Sequence, residues 1–119
     1  MINTYWANYI EMFSWNILAT VRLHYKISET SVDRMTTALI KYKKVNGLFY
    51  SLEYDRSGGN HIHLLLDSES SMSSSELASG IGKYEKSVTY FENVKSKKAV
   101  SNYCTKHLGK GIMYDLKIK

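Results

Sequence analysis

Apolar residues along this chain recur at two spacings, and the alternation between them orders the elements. Ile2, Tyr5, Trp6, Tyr9, Ile10 and Phe13 fall at helical spacing and predict a short amphipathic helix. Residues 16–23, NILATVRL, are apolar and β-prone enough for a central strand. TSVDRMTTALIKYKK (30–44) returns to the helical period, with Thr30 or Ser31 as cap and Val32, Met35, Thr36, Leu39 and Ile40 as its buried stripe. GLFYSLEY (47–54) and HIHLLLD (61–67) are strands joined through the tight turn DRSGGN, a hairpin. SSELASGIGKYEK (74–86) predicts a second helix, weakened by Gly80 and Gly82, and SVTYFENV (87–94) a fourth strand. SKKAVSNYCTKHLGKG (96–111) predicts a helix with Gly109 at its C-cap, and IMYDLKI (112–118) alternates as an added edge strand.

The central order is β-α-β-β-α-β followed by a helix. That is an α+β, ferredoxin-like plan: one antiparallel sheet with helices on one face and the other face left open. No repeat or linker interrupts it, so residues 1–119 form a single domain.

On the third strand, successive side chains point to opposite faces. His61 and His63 therefore stand side by side, while Ile62, Leu64 and Leu66 fill the other face. Glu53 on the preceding strand shares their parity, and any unbulged pairing of position 53 with either histidine puts all three on one face. Two imidazoles and a carboxylate with open positions suit a catalytic divalent ion such as manganese or magnesium. Histidines on an exposed strand face need no metal, however, and the pair alone fits both readings. His24 has no such partner and reads as structural.

The predicted helix at 96–111 gathers Tyr103, Lys106, His107 and Lys110 on one side. A tyrosine beside cations suits phosphoryl transfer, with Lys106 neutralising charge on the phosphate. The same helix also reads as a packing stripe through Ala99, Val100, Tyr103, Cys104 and Leu108.

Taken together, HIHLLL and, forty residues after His63, YCTK form a pattern that resembles the HUH endonucleases. Their second motif is His-hydrophobic-His on a strand of a ferredoxin-like sheet. Their third is a helix-borne tyrosine, YxxK, often YCxK in replication proteins of small DNA viruses. Glu53, eight residues before His61, matches the place where those viral proteins carry the third ligand. WNILATVRL is a loose likeness of the first motif, with Thr20 its best remnant. A compact chain with one such tyrosine is similar to the small Rep proteins (single-tyrosine, rolling-circle-type replication initiators) of archaeal rod-shaped viruses, the rudiviruses. Smaller HUH transposases take the third ligand four residues after the tyrosine, and here that position is His107.

The resemblance implies a metal-dependent nickase and strand transferase. Tyr103 would attack a phosphodiester of single-stranded DNA and keep the 5′ phosphate, assisted by Lys106. Mn2+ or Mg2+ would be held by His61, His63 and Glu53, with His107 the alternative third ligand. The substrate would be single-stranded DNA at a replication origin or genome terminus, in company with host replication proteins. A homodimer would supply the second active site that paired cut-and-join steps require. The rival with the same chemistry is a single-strand transposase. A rival of another class is a non-catalytic nucleic-acid module using Phe49 and Tyr50 as exposed stacking aromatics, which leaves the coincidence of His61, His63, Tyr103 and Lys106 unexplained.

Charge adds a direction. Residues 1–82 carry seven Lys/Arg and eight Asp/Glu, whereas residues 83–119 carry nine Lys and three Asp/Glu. A basic end on a neutral body fits a polyanion partner, with Lys95, Lys97, Lys98, Lys106 and Lys110 as phosphate contacts, although a lysine-rich solvated surface has the same composition. Cys104 is the only cysteine, which excludes an internal disulfide and fits a reducing setting. Without a signal-peptide pattern or an apolar run near the ~20 residues that span a bilayer, the chain reads as cytoplasmic, in the host cell if viral, with no membrane partner.

Overall fold

Among the described residues five strands carry the alternation, all paired antiparallel: β1 (Ile17–Val21), β2 (Val45–Tyr54), β3 (Asn60–Ser68), β4 (Val88–Asn93) and β5 (Met113–Ile118). The computed structural model describes residues 14–69, 71–94 and 113–119; the helices expected over 2–13 and 96–111 lie outside them. The sheet order is β4-β1-β3-β2-β5. With helices α1 (Glu29–Ile40) and α2 (Ser74–Gly80) on one face, the ferredoxin-like α+β expectation holds. Met113–Ile118 adds the expected edge, pairing with β2.

The helix-side core follows from strand parity. Ile17, Ala19 and Val21 of β1, Leu48, Tyr50 and Leu52 of β2, and Ile62, Leu64 and Leu66 of β3 pack in one cluster with Val32, Met35 and Leu39 of α1 and Leu77 of α2. Burying each such Leu, Ile or Val side chain contributes about 1.5–3 kcal/mol.

Both helix boundaries differ from expectation. The N-cap of α1 is Ser28, not Thr30 or Ser31: its hydroxyl accepts the Ser31 N–H at 3.1 Å. α1 stops at Ile40, because Tyr42 and Lys44 of the KYKK run turn their side chains to Glu76 of α2, at 2.6 and 2.7 Å. α2 opens with a capping box between Ser73 and Glu76. It closes well before residue 86, since Gly82 takes φ +74° and its N–H donates to Ser79 O while Lys83 N–H donates to Ala78 O, a Schellman ending.

The face away from the helices is not bare. Trp15, Leu18, Phe49 and Leu65 form a second buried cluster there, joined by Val94, Tyr114 and Leu116. The expectation of exposed Phe49 and Tyr50 is therefore wrong. Phe49 is enclosed in this second cluster, and Tyr50 points into the helix-side core, where burial pushes its phenol up to about 12.

Candidate metal centre

Strand register assembles the site. Across the β2–β3 hairpin Glu53 pairs directly with His61, and Ser51 with His63; on the other side of β3, Thr20 of β1 pairs with His63. All five side chains stand on the face opposite the helices, one pleat beyond Phe49, Leu65 and Leu18. Glu53 and His63 are buried, and His61 nearly so.

Three donor atoms converge. His61 Nε2 lies 3.1 Å from His63 Nε2, and Glu53 Oε1 lies 3.5 Å from His63 Nε2 and 4.0 Å from His61 Nε2. Around an ion with bonds of ~2.1 Å, neighbouring donors sit roughly 3.0–3.4 Å apart in octahedral or tetrahedral coordination. One of the three edges already has that length, at 3.1 Å; the 3.5 and 4.0 Å edges each need a shift of well under an ångström. Glu53, His61 and His63 can hold one metal ion.

Each donor has a partner behind it. Asp55 Oδ1 accepts from His61 Nδ1 at 2.9 Å, which leaves the His61 Nε2 lone pair facing the other donors. Thr20 Oγ1 meets His63 Nδ1 at 3.3 Å, and Ser51 donates to Glu53 Oε2 at 3.2 Å, leaving Oε1 toward the histidines. Carboxylate and hydroxyl partners of this kind fix the tautomer and orientation of metal ligands. Without an ion, a proton on His63 Nε2 makes the 3.1 Å contact a hydrogen bond to His61. In the other neutral tautomer His63 donates from Nδ1 to Thr20 Oγ1, and its Nε2 lone pair would be available to hold an ion.

Electrostatics favour the ligand form of His61. Its pKa is lowered by burial first, then by the neighbouring His63 and Arg22, so the imidazole is neutral and its lone pair available near neutral pH. Arg22 grips Asp55 with contacts of 2.8 and 3.4 Å, and this pairing chiefly depresses the Asp55 carboxyl. The turn makes that grip reachable. Asp55 donates its N–H to Gly59 O and accepts from Gly58 N–H, with Gly58 at φ +95°, so the chain reverses tightly enough for Asp55 to fold back onto β3.

Asp55, Arg22 and Ser51 were not legible as site residues. Asp55 reads as an ordinary member of the turn sequence DRSGGN, and Arg22 lies 33 residues away from it in the chain. Thr20, flagged only as a weak motif remnant, stands against His63. Tyr103, Lys106, His107, Lys95, Lys97, Lys98 and Lys110 lie outside the described residues. The donors open onto a cleft of about 590 Å³ walled by Leu18, Arg22, Thr89 and Tyr90. Among the described residues no helix is long and apolar enough to cross a membrane. The chain matches no protein-family model, no curated protein and no solved structure.

Proposed function

We propose that this chain is a metal-dependent DNA nickase and strand transferase of the HUH class, acting as a replication initiator on single-stranded DNA. The observation that carries the reading is the convergence of Glu53 Oε1, His61 Nε2 and His63 Nε2 on one sheet face, each backed by its own hydrogen-bond partner. Structural histidines on a wet strand face have no need of that arrangement. The ferredoxin-like sheet and the sequence YCTK at 103–106 support the same conclusion.

A divalent ion held by Glu53, His61 and His63 would supply Lewis-acid polarisation of the scissile phosphate's oxygens. Two nitrogen donors weigh toward Mn2+ over the harder Mg2+. Tyr103 loses its phenolic proton as its oxygen bonds to phosphorus, and the bond from phosphorus to the 3′ oxygen breaks. The departing oxygen takes up a proton and becomes a 3′ hydroxyl able to prime synthesis. The strand to its 3′ side stays on Tyr103 as a 5′ phosphotyrosine, so a later 3′ hydroxyl can attack and rejoin without ATP. Lys106 offsets charge on the phosphoryl oxygens, and Lys95, Lys97, Lys98 and Lys110 bind flanking phosphates. A homodimer would provide the paired active sites for cut-and-join exchange.

The test is incubation with Mn2+ and single-stranded oligonucleotides labelled at the 3′ end. An adduct that survives denaturant is expected, and it should vanish with EDTA and in Tyr103→Phe. Cutting that needs metal but leaves no adduct would mean a hydrolytic nuclease. A protein that binds no divalent ion would end the proposal altogether.

A further inference from the structure

Just past the metal centre, β1 runs out through Leu23, His24 and Tyr25 beside the segment that links α2 to β4. The two are laced by Arg22 N–H donating to Ser87 O at 2.9 Å. Between them lies a second cleft of about 480 Å³, lined by His24, Tyr25, Lys83, Tyr84 and Lys86 among others. Arg22 walls the metal cleft and Leu23 this one; Thr89 walls the first and Ser87 the second. The second cleft thus lies just beyond the ends of β1 and β4 that help wall the first.

Its chemistry is unusual for a solvated rim. Tyr25 is 45 % exposed and Tyr84 79 % exposed, two large rings left in water at one place. Tyr25 is held rather than loose: the His24 ring stands edge-on at 4.8 Å, and Lys83 Nζ lies 3.2 Å from its hydroxyl and 5.9 Å from its ring centre. The nearby acid, Glu85, is drawn off by Ser74, whose hydroxyl donates to it at 2.7 Å. The left-handed Gly82 fixes the turn that presents Lys83 and Tyr84. What remains is rings and ammonium groups together, the combination that binds single strands by stacking bases and tracking phosphates.

We infer that this cleft binds the single-stranded DNA flanking the scissile phosphate, with bases stacked on Tyr25 and Tyr84 and phosphates met by Lys83 and Lys86. The ligand class rests on the proposed function; the location rests on the cleft itself. It gives the strand a track from the metal centre toward the α2–β4 connection.

The experiment measures fluorescence anisotropy of a labelled oligothymidylate in EDTA, where no cutting competes. Tyr25→Ala and Tyr84→Ala should each weaken binding about tenfold. Tyr84→Phe should bind as wild type, because stacking uses the ring. Lys83→Ala with Lys86→Ala should make log affinity less steep in log salt, by about 0.7 per lost contact. Photocrosslinks from 5-iodouracil should map to residues 23–26 and 82–87. Wild-type affinity in the double tyrosine variant, or crosslinks confined to other segments, overturns the cleft assignment. So does tighter binding of the matching oligoribonucleotide, which would make RNA the ligand. His63→Ala separates the two proposals. It should lose the covalent adduct yet keep the anisotropy signal, whereas a wild-type protein that binds through these tyrosines but never forms an adduct would remove the nickase and leave the cleft.

Discussion

At the scale of single residues, the site depends on groups that would never touch the metal. Asp55 fixes His61 through one 2.9 Å hydrogen bond and is itself held by Arg22. Asp55→Asn can present its amide nitrogen or a weaker acceptor to Nδ1, so it loosens the tautomer while keeping the shape. Mn2+ affinity, measured by titration calorimetry, should fall by about 10- to 100-fold, the usual cost of removing an outer partner. Arg22→Ala should do less, because Asp55 remains. An affinity unchanged in Asp55→Asn would show that His61 is oriented by packing alone. The third ligand can be ranked in the same way: Glu53→Ala should cost more cleavage than His107→Ala, and the reverse order would favour the transposase-like arrangement.

At the scale of elements, α2 is a seven-residue helix whose ends are held by specific devices rather than by length. Glu76 accepts from the Ser73 N–H in the capping box, from the Tyr42 hydroxyl, and from the Lys44 ammonium. Lys44 chiefly, then Tyr42, holds its carboxyl down to about 2. A depressed carboxylate stabilises the fold above its unfolded value of 4.5 and loses that contribution as pH falls toward about 2. The urea midpoint of Glu76→Gln should therefore lie below wild type by a constant margin from pH 5 to neutrality. The two should converge between pH 4.5 and 2, and a margin that persists at pH 2 would exclude the charge as its source. At the other end, Gly82→Ala places a Cβ in the left-handed region and should cost about 1–2 kcal/mol in thermal or chemical denaturation.

At the scale of the whole molecule, the sheet is packed on both sides. Leu64 faces the helices and Leu65 faces the site, and both are fully enclosed. Leu65→Ala should accordingly destabilise by about 2–5 kcal/mol, as should Leu64→Ala, which a truly open face would not allow. A long-range clamp closes the fold: the buried Asn60 amide donates to Ile27 O and accepts Ile27 N–H, both at 2.8 Å. Asn60→Ala leaves that buried peptide unpaired and should cost about 2 kcal/mol by chemical denaturation. A loss below a few tenths would mean that water replaces the amide.

The amino-acid sequence by itself determined the β-α-β-β-α-β order and the shared face of Glu53, His61 and His63. Those features rest on local periodicity and on a hairpin whose partners lie only eight residues apart. Tertiary structure decided the rest. Thr20 reaches His63 across 43 residues, and Arg22 reaches Asp55 across 33, through strand registers that packing of distant strands sets. Helix ends moved to the Ser28 cap and to Gly80, because a side-chain cap and the left-handed Gly82 compete with a continuing apolar stripe. Phe49 and Tyr50 became buried because alternation assigns residues to faces but does not say what covers each face. Periodicity is a property of neighbours along the chain; burial and side-chain convergence are properties of neighbours in space.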